Sequence, residues 1–314
     1  MANSKYAYVK KLEEERRILP CCYFVVRIDG GGFKTFTKTH GYTKPNDVRG
    51  LHLMNACAKE VMHKFDEIDL AYGHSDEYSF LFRKKTKVWN RRHDKILTNI
   101  VSCFSGSFPF HWKEFFPDQP LLYVPCFDGR IVLLPTEREA KDYFRWRQVD
   151  CHINTQYNEC FWNLINRSGY SHQQAYDALR TTQKREKNEL LFSQFGINYN
   201  DVPEIFRRGS ILMRDEQSWK RGHVGEEVKI TRVKDPNSGS GQNTKVRPLD
   251  DGKMPPPDDA KVPPPDDAKV PPPEKLRSDA APPHKRDTVA KFTLSHENLV
   301  SDIFWEKYHF LFAK

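Results

Sequence analysis

No CxxC pair and no zinc-like spacing occurs among the seven cysteines, and their odd number excludes a fully paired disulfide framework. They are read as reduced thiols of a protein of the cytoplasm, the nucleus or both. No window approaches the ~18 consecutive apolar residues of a membrane span, so no membrane partner is expected. The opening MANSKYAYVKKLEEERR lacks an apolar h-region, and its EEE run is foreign to transit peptides, so neither kind of leader is expected. There is no GxxxxGK[ST], and the triple glycine GGGF is not continued into GxGxxG, which excludes a P-loop and a dinucleotide fingerprint. Apolar residues are also sparse, at 38% of 314, partly because a proline-rich stretch contributes few of them.

The chain is long enough for one large or two small domains with a proper core. Its 50 Lys and Arg against 42 acids leave a formal charge of +8, which suits a polyanionic partner such as nucleic acid.

Periodicity predicts the elements in order. Tyr6, Val9 and Leu12 form one stripe of a helix over residues 1–19, closed by Pro20. A strand follows at 22–29, then a helix at 48–65 with Leu51, Met54, Ala58 and Val61 inward. LAYGHSDEYSFLF reads as two strands about a polar corner running from Gly73 to Glu77. A helix is expected at 89–104, one or two strands within 121–135, and mostly helix from 136 to about 208. Strand, helix, hairpin, helix, strand is the order of an α+β split βαβ sheet, ferredoxin- or RRM-like, with helices on one face. Residues 207–249 carry ten Lys/Arg against five acids and are read as a mobile basic segment with a strand or two.

MPPPDDAKVPPPDDAKVPPPEKLR repeats every 8 residues. Three prolines per repeat exclude a helix or a central strand and leave an extended spacer, with proline-rich docking as the alternative. Phe304, Trp305, Tyr308 and Phe312 then recur at helical spacing, in a piece apolar enough to dock on the body or on another subunit. The chain divides into 1–135, a sheet domain; 136–234, a helical portion; 235–287, the linker; and 288–314, the aromatic helix.

In a split βαβ sheet the first strand lies beside the following hairpin. Asp29 would end that strand, while Asp76 and Glu77 lie at the hairpin corner, so the carboxylates can share one metal-binding span. Hard oxygen ligands of this kind suit Mg²⁺, which fills its shell with water and substrate phosphate. Two such ions could activate a hydroxyl and stabilise a leaving oxygen. Gly30, Gly31 and Gly32 would let the backbone approach a triphosphate. The alternative is that DGGG is only a tight turn. On a helix, His152, Gln156 and Glu159 share one face with Thr155 and Asn158 alongside, a stripe suited to solvent or to a polar ligand. Lys44, Arg91, Arg92, Lys95, Arg130 and Lys187 are single surface charges unless the fold gathers them as phosphate contacts.

RIDGGGF, GHSDEYSFLF, QPLLYVPCFDGR, DYFRWRQVDCHINTQYN and KNELLFSQFGINYN, in this order over about residues 1–210, closely resemble the tRNA(His) guanylyltransferase family. The resemblance implies a polymerase-palm-like catalytic domain at 1–135, a tRNA-contacting helical portion and a homotetramer. It implies a nucleotidyltransferase that adds a guanylate to the 5′ end of tRNA(His), with ATP and GTP as substrates and two Mg²⁺ ions. Asp29, Asp76 and the Gly30 carbonyl would be metal ligands, and Glu77 would assist them. Asp29, Gly30, Gly31, Gly32, Phe33, Lys34, Ser75 and Asp76 would hold the nucleotide. Lys44, Arg92, Lys95, His152, Asn154, Asn158 and Lys187 are candidates for a second nucleotide or the tRNA. The family's HINNLYN is HINTQYN here, so Thr155 and Gln156 depart from it. A template-dependent 5′-end repair polymerase, another palm-type enzyme such as a nucleotide cyclase, and a pure RNA-binding module are the competing readings. The last lacks an aromatic RNP-like strand.

Overall fold

In the strand β1 (Tyr23–Gly31), alternation splits two cores: Phe24, Val26 and Ile28 face one side of the sheet, Tyr23 and Val25 the other. This computed structural model describes residues 4–214 and 292–312. The proline repeats at 235–287, the basic segment beyond residue 214 and the start of the 288–314 piece lie outside the described residues.

After β1 come α1 (Phe33–Thr39), α2 (Val48–Lys64), β2 (Ile68–His74), β3 (Glu77–Phe82), α3 (His93–Phe115) and β4 (Cys126–Leu134). Then follow α4 (Glu137–Ser168), α5 (His172–Leu179), α6 (Lys184–Phe195), α7 (Glu204–Arg208), β5 (Ser210–Arg214), β6 (Phe292–Ser295) and α8 (Asp302–Lys307). One six-stranded, fully antiparallel sheet has the order β4-β1-β3-β2-β5-β6. Its first four strands form the expected split βαβ, a palm-like α+β fold.

One face is covered by α2 and α3 through Leu53, Val61, Ile100 and Phe104. The other is covered by the first half of α4, with Tyr143 and Phe144, and by the C-terminal piece, with Phe304, Trp305 and Phe312. The apolar C-terminal piece thus docks on the body, as helix α8 followed by a 3-10 turn at His309–Phe312. A third core joins the far half of α4 to α5 and α6 through Cys160, Leu164, Leu179 and Leu191. A capping box of Thr136 with Glu139 starts α4, and left-handed Gly169 (φ 70°) ends it.

Three expectations need correction. The helix over 1–19 is only a 3-10 segment, Ala7–Leu12, with no buried residue: its stripe has nothing to pack on, and so short a helix is marginal alone. The helix expected at 89–104 begins at His93 and runs on to Phe115, because Trp89, Asn90 and Arg91 take left-handed φ values of 44°, 53° and 57°. Finally, the 288–314 piece, read as a helix alone, includes the strand β6, which at four residues is too short for alternation to declare it. β5 lies in the 207–249 segment, where a strand or two was expected, and the two extend the sheet beyond β2.

Candidate active site

Asp29 pairs with Glu77 of β3 on one side and with Asp128 of β4 on the other. His74 of β2 pairs with Glu77 in turn. Cross-strand partners point to one face, so Asp128, Asp29, Glu77 and His74 form a polar row on the α4 side of the sheet. Only Ser75 and Asp76 join β2 to β3, a narrower corner than the 73–77 expected from sequence. Ser75 has φ 52°, a conformation usually left to glycine, and such strain is concentrated at functional sites. The Gly30 N–H donates to the Asp76 carbonyl at 3.1 Å, which ties the hairpin tip to the end of β1.

The glycines differ in purpose. A Cβ on Gly30 would lie 2.4 Å from the Phe33 ring and 3.1 Å from the Asp76 Cβ. Gly32 instead supplies the left-handed residue (φ 66°) that opens α1. Phe33 is itself buried among Phe36, Phe108 and Phe127, so it offers a ligand only its backbone. Lys34 is exposed on the first turn of α1. DGGG is therefore both a turn and a place of close backbone approach.

Burial raises the Asp29 carboxyl, the charges of Asp76 and Glu77 raise it further, and Arg27 opposes them. Asp76 is also raised by burial, against a hydrogen bond from Ser75. Burial pushes Glu77 the same way, yet the His74 contact and the Arg147 charge outweigh it and hold Glu77 below the usual range. Glu77 Oε1 lies 2.9 Å from His74 Nε2 and 3.2 Å from Arg147 Nε of α4, at ion-pair distance but without the alignment of directed hydrogen bonds. Among the described residues no three or more His, Cys, Asp or Glu side chains are arranged to hold a metal ion. Two uncompensated carboxylates, with oxygens as the only donors, fit an ion that takes the rest of its shell from water and phosphate.

The tRNAHis guanylyltransferase family model matches residues 6–135, and the Thg1 C terminal domain model matches 138–251. The chain belongs to the tRNA(His) guanylyltransferase family. It is 51% identical to the tRNA(His) guanylyltransferase of Schizosaccharomyces pombe over 221 residues, 70% of this chain and 84% of that one. With the Neurospora crassa enzyme it shares 38% over 309 residues, 98% of this chain and 94% of the other. The crystal structure of the Saccharomyces cerevisiae enzyme superposes with TM-score 0.65 at 46% identity, covering 67% of this chain and 93% of that one. A bacterial Thg1-like protein in complex with ATP superposes with TM-score 0.57 at 26% identity, covering 68% and 89%. This guanylyltransferase family member is accordingly a nucleotidyltransferase.

The fold gathers some of the outlying candidates and scatters others. In this guanylyltransferase Lys44 is half-buried beside α1, where its Nζ bonds Thr37 Oγ1 at 3.3 Å and lies over the Trp162 ring. Burial, then nearby Lys34, depresses the Lys44 ammonium against the pull of Asp47. Arg92 and Lys95 start α3, beside Arg17 and Trp89, at the end of the sheet opposite Asp29. Arg91 is buried and donates to the carbonyls of Ile18, Leu19, Cys22, Lys84 and Thr86, so it is a structural staple. Arg130 is exposed and pairs with Asp128 at 3.0 Å.

Thr155, Gln156 and Glu159 are buried rather than turned to solvent or ligand. Thr155 donates to the Phe206 carbonyl at 2.6 Å. Gln156 donates to the Lys184 carbonyl at 3.1 Å and to Asn188 Oδ1 at 2.6 Å, while Glu159 accepts from Asn46 at 3.2 Å. The positions that depart from the family's HINNLYN therefore serve helix packing. His152 is half-buried against Tyr199, and Asn154 is exposed and donates to Asp150 at 3.1 Å. Asn158 is half-buried on the same helix. Lys187 is spent on the Thr182 carbonyl and hydroxyl, at 2.6 and 2.8 Å. Beside His152, which meets the Tyr199 hydroxyl, opens a cavity of about 510 Å³ lined by Lys184, Asn188, Phe192, Asn198 and Tyr199.

Sequence reasoning passed over His74 and Arg147. The signal for Arg147 was available: it is an arginine on the stripe of α4 that buries Tyr143, Phe144 and Cys151.

Proposed function

We propose that this chain adds a guanylate to the 5′ end of tRNA(His) in three steps at the Asp29–Asp76 site. The tRNA 5′-phosphate is first adenylylated by ATP with release of pyrophosphate. The GTP 3′-hydroxyl next attacks the activated phosphorus and AMP leaves. Pyrophosphate is finally removed from the new 5′ end. The carrying observation is the Asp29–Asp76 pair, one carboxylate near the end of β1 and one at the hairpin tip clamped to it through the Gly30 N–H, both raised in pKa.

Asp29, Asp76 and the Gly30 carbonyl would hold two Mg²⁺ ions, which when bound would neutralise phosphate charge and lower the pKa of a hydroxyl. The residues themselves have other tasks. Gly30 to Lys34 with Ser75 offer close backbone and a first-turn ammonium to the triphosphate. Lys44, beside α1, is placed for a second nucleotide. The cavity near His152, with amides, cations and the exposed Phe192 ring, suits unpaired bases of the tRNA, with Asn154 and Asn158 on the same helix. Arg92 and Lys95 would serve tRNA backbone away from the metal site.

Seven free thiols support a reducing compartment, cytoplasm or nucleus. The exposed Tyr6, Tyr8 and Leu12 support a homotetramer by offering apolar surface to another copy. Incubation with 5′-monophosphorylated tRNA(His), ATP, GTP and Mg²⁺ tests the reading. A one-nucleotide 5′ extension is expected. Templated addition of several nucleotides to truncated tRNAs, without that product, would replace it with 5′-end repair.

A further inference from the structure

Arg147 is buried at 5% relative exposure and lies outside every motif residue assigned above to nucleotide or metal. Its Nε approaches Glu77 Oε1 at 3.2 Å, and its Nη2 donates to Asp150 Oδ2 at 2.8 Å. Asp150 Oδ2 also accepts from Asn154. The guanidinium lies 3.9 Å from the Trp146 ring centroid, so the indole screens it from solvent. From the other side His74 Nε2 meets the same Glu77 oxygen at 2.9 Å. Glu77 is therefore gripped between β2 and α4, one strand away from Asp29.

We propose that Arg147 is a positioning residue for nucleotide addition: it fixes the Glu77 carboxylate, and through it the charge facing Asp29, from the α4 side of the sheet. The shape of the group matters as much as its charge. A planar guanidinium can reach Glu77 and Asp150 with separate nitrogens while stacking on Trp146, whereas an ammonium is a single point donor. Asp150 anchors the far side of that fork. The inference rests on the Asp29–Asp76 reading of the site.

The test is single-turnover nucleotide addition to 5′-monophosphorylated tRNA(His) by Arg147→Lys, Asp150→Asn, Glu77→Gln and the Arg147→Lys/Glu77→Gln double variant, with thermal melts of each. Arg147→Lys is expected to slow turnover on the order of 10–100-fold, the cost of a small misplacement at a reacting centre, with nucleotide KM changed less than about twofold. The double variant should be no slower than Glu77→Gln alone, because both act through one carboxylate. Wild-type turnover in Arg147→Lys, or rate losses that multiply in the double variant, would overturn the proposal. If Arg147→Lys does not fold, Asp150→Asn decides: a selective fall in turnover supports the relay and an unchanged rate rejects it. Asp29→Asn or Asp76→Asn with full activity would instead reject the site reading itself.

Discussion

Asp29 and Glu77 are register partners on neighbouring antiparallel strands, and the protein shifts their carboxyls in opposite directions. Burial alone would raise both. The difference lies in the company each keeps: Asp29 is next to Asp76, Glu77 and Asp128 with Arg27 as its counterweight, whereas Glu77 has His74 and Arg147. Glu77 is thus already compensated by the protein. Asp29 and Asp76 are not, which supports giving them the cation and leaving Glu77 as a fixed charge beside it.

The Asp29→Asn and Asp76→Asn variants should therefore lose function and gain stability. A carboxyl raised in the folded state contributes stability that is complete below its unfolded value and is lost as pH rises through the folded one. As pH rises through those raised values each aspartate loses that contribution, so the amide variants should gain melting temperature relative to wild type with rising pH in metal-free buffer. The gain should vanish at pH values below the ordinary Asp range. Glu77→Gln has the opposite sign: Glu77 stabilises above the ordinary Glu value, a contribution lost as pH falls through its lowered one, so the variant should melt lower at neutral pH. Nucleotide addition by either aspartate variant should fall by roughly 10²–10³-fold or more. Melting curves across pH, with activity alongside, check both halves.

Gly30 and Gly32 should part company on substitution by alanine. At Gly30 the new methyl would drive the Phe33 ring out of its packed place and press on Asp76, at a cost of about 1–3 kcal/mol for overpacking. Displacing Asp76 should also depress turnover about 100-fold. At Gly32 the methyl meets open space, and only the left-handed backbone objects, at about 1–2 kcal/mol. Gly32→Ala should keep most of its turnover. Denaturant melts and steady-state kinetics separate the two.

How much of this could be read beforehand follows from the range of the interactions. The split βαβ order was legible because β1, α2 and the β2–β3 hairpin each bury a periodic face, and that order put Asp29 beside the hairpin. Within the 152–159 stripe, Thr155 and Gln156 were misread: a buried hydroxyl and amide look like ligand groups until the carbonyls of Phe206 and Lys184 are seen opposite them. Those partners are 51 and 28 residues away, and no local pattern announces them. Arg91 was read as a surface charge for the same reason, since it is bound to carbonyls as far away as Ile18. The compensation of Glu77 by Arg147 depends on how α4 lies across the sheet, which spacing along α4 does not specify.

Arg91 itself gives a clean contrast between a structural cation and a phosphate contact. Its guanidinium satisfies five carbonyls and stacks over Phe24 at 5.1 Å, so Arg91→Met should strand several buried acceptors. A loss of about 3–5 kcal/mol is expected from breaking such a buried charged site. At temperatures where the variant stays folded, the salt dependence of its tRNA affinity should equal that of the wild type, because no phosphate contact has gone. A shallower salt slope would return Arg91 to the RNA-binding surface.

Restoring the family residues at Thr155→Asn and Gln156→Leu should change stability but not chemistry. Both side chains point into the packing of α4 against α6 and α7, away from Asp29 and Asp76. Leucine at 156 gains apolar burial yet leaves Asn188 Oδ1 and the Lys184 carbonyl without their donor, for a net loss of about 1–2 kcal/mol. Asparagine at 155 keeps a donor for the Phe206 carbonyl but needs room for its longer side chain beside Cys151, whose thiol bonds the same carbonyl at 3.3 Å. The double variant should therefore melt a few degrees lower, with KM for ATP and GTP and the turnover number within about twofold of wild type. A KM shift well beyond that, with melting unchanged, would mean that these positions reach the nucleotide after all.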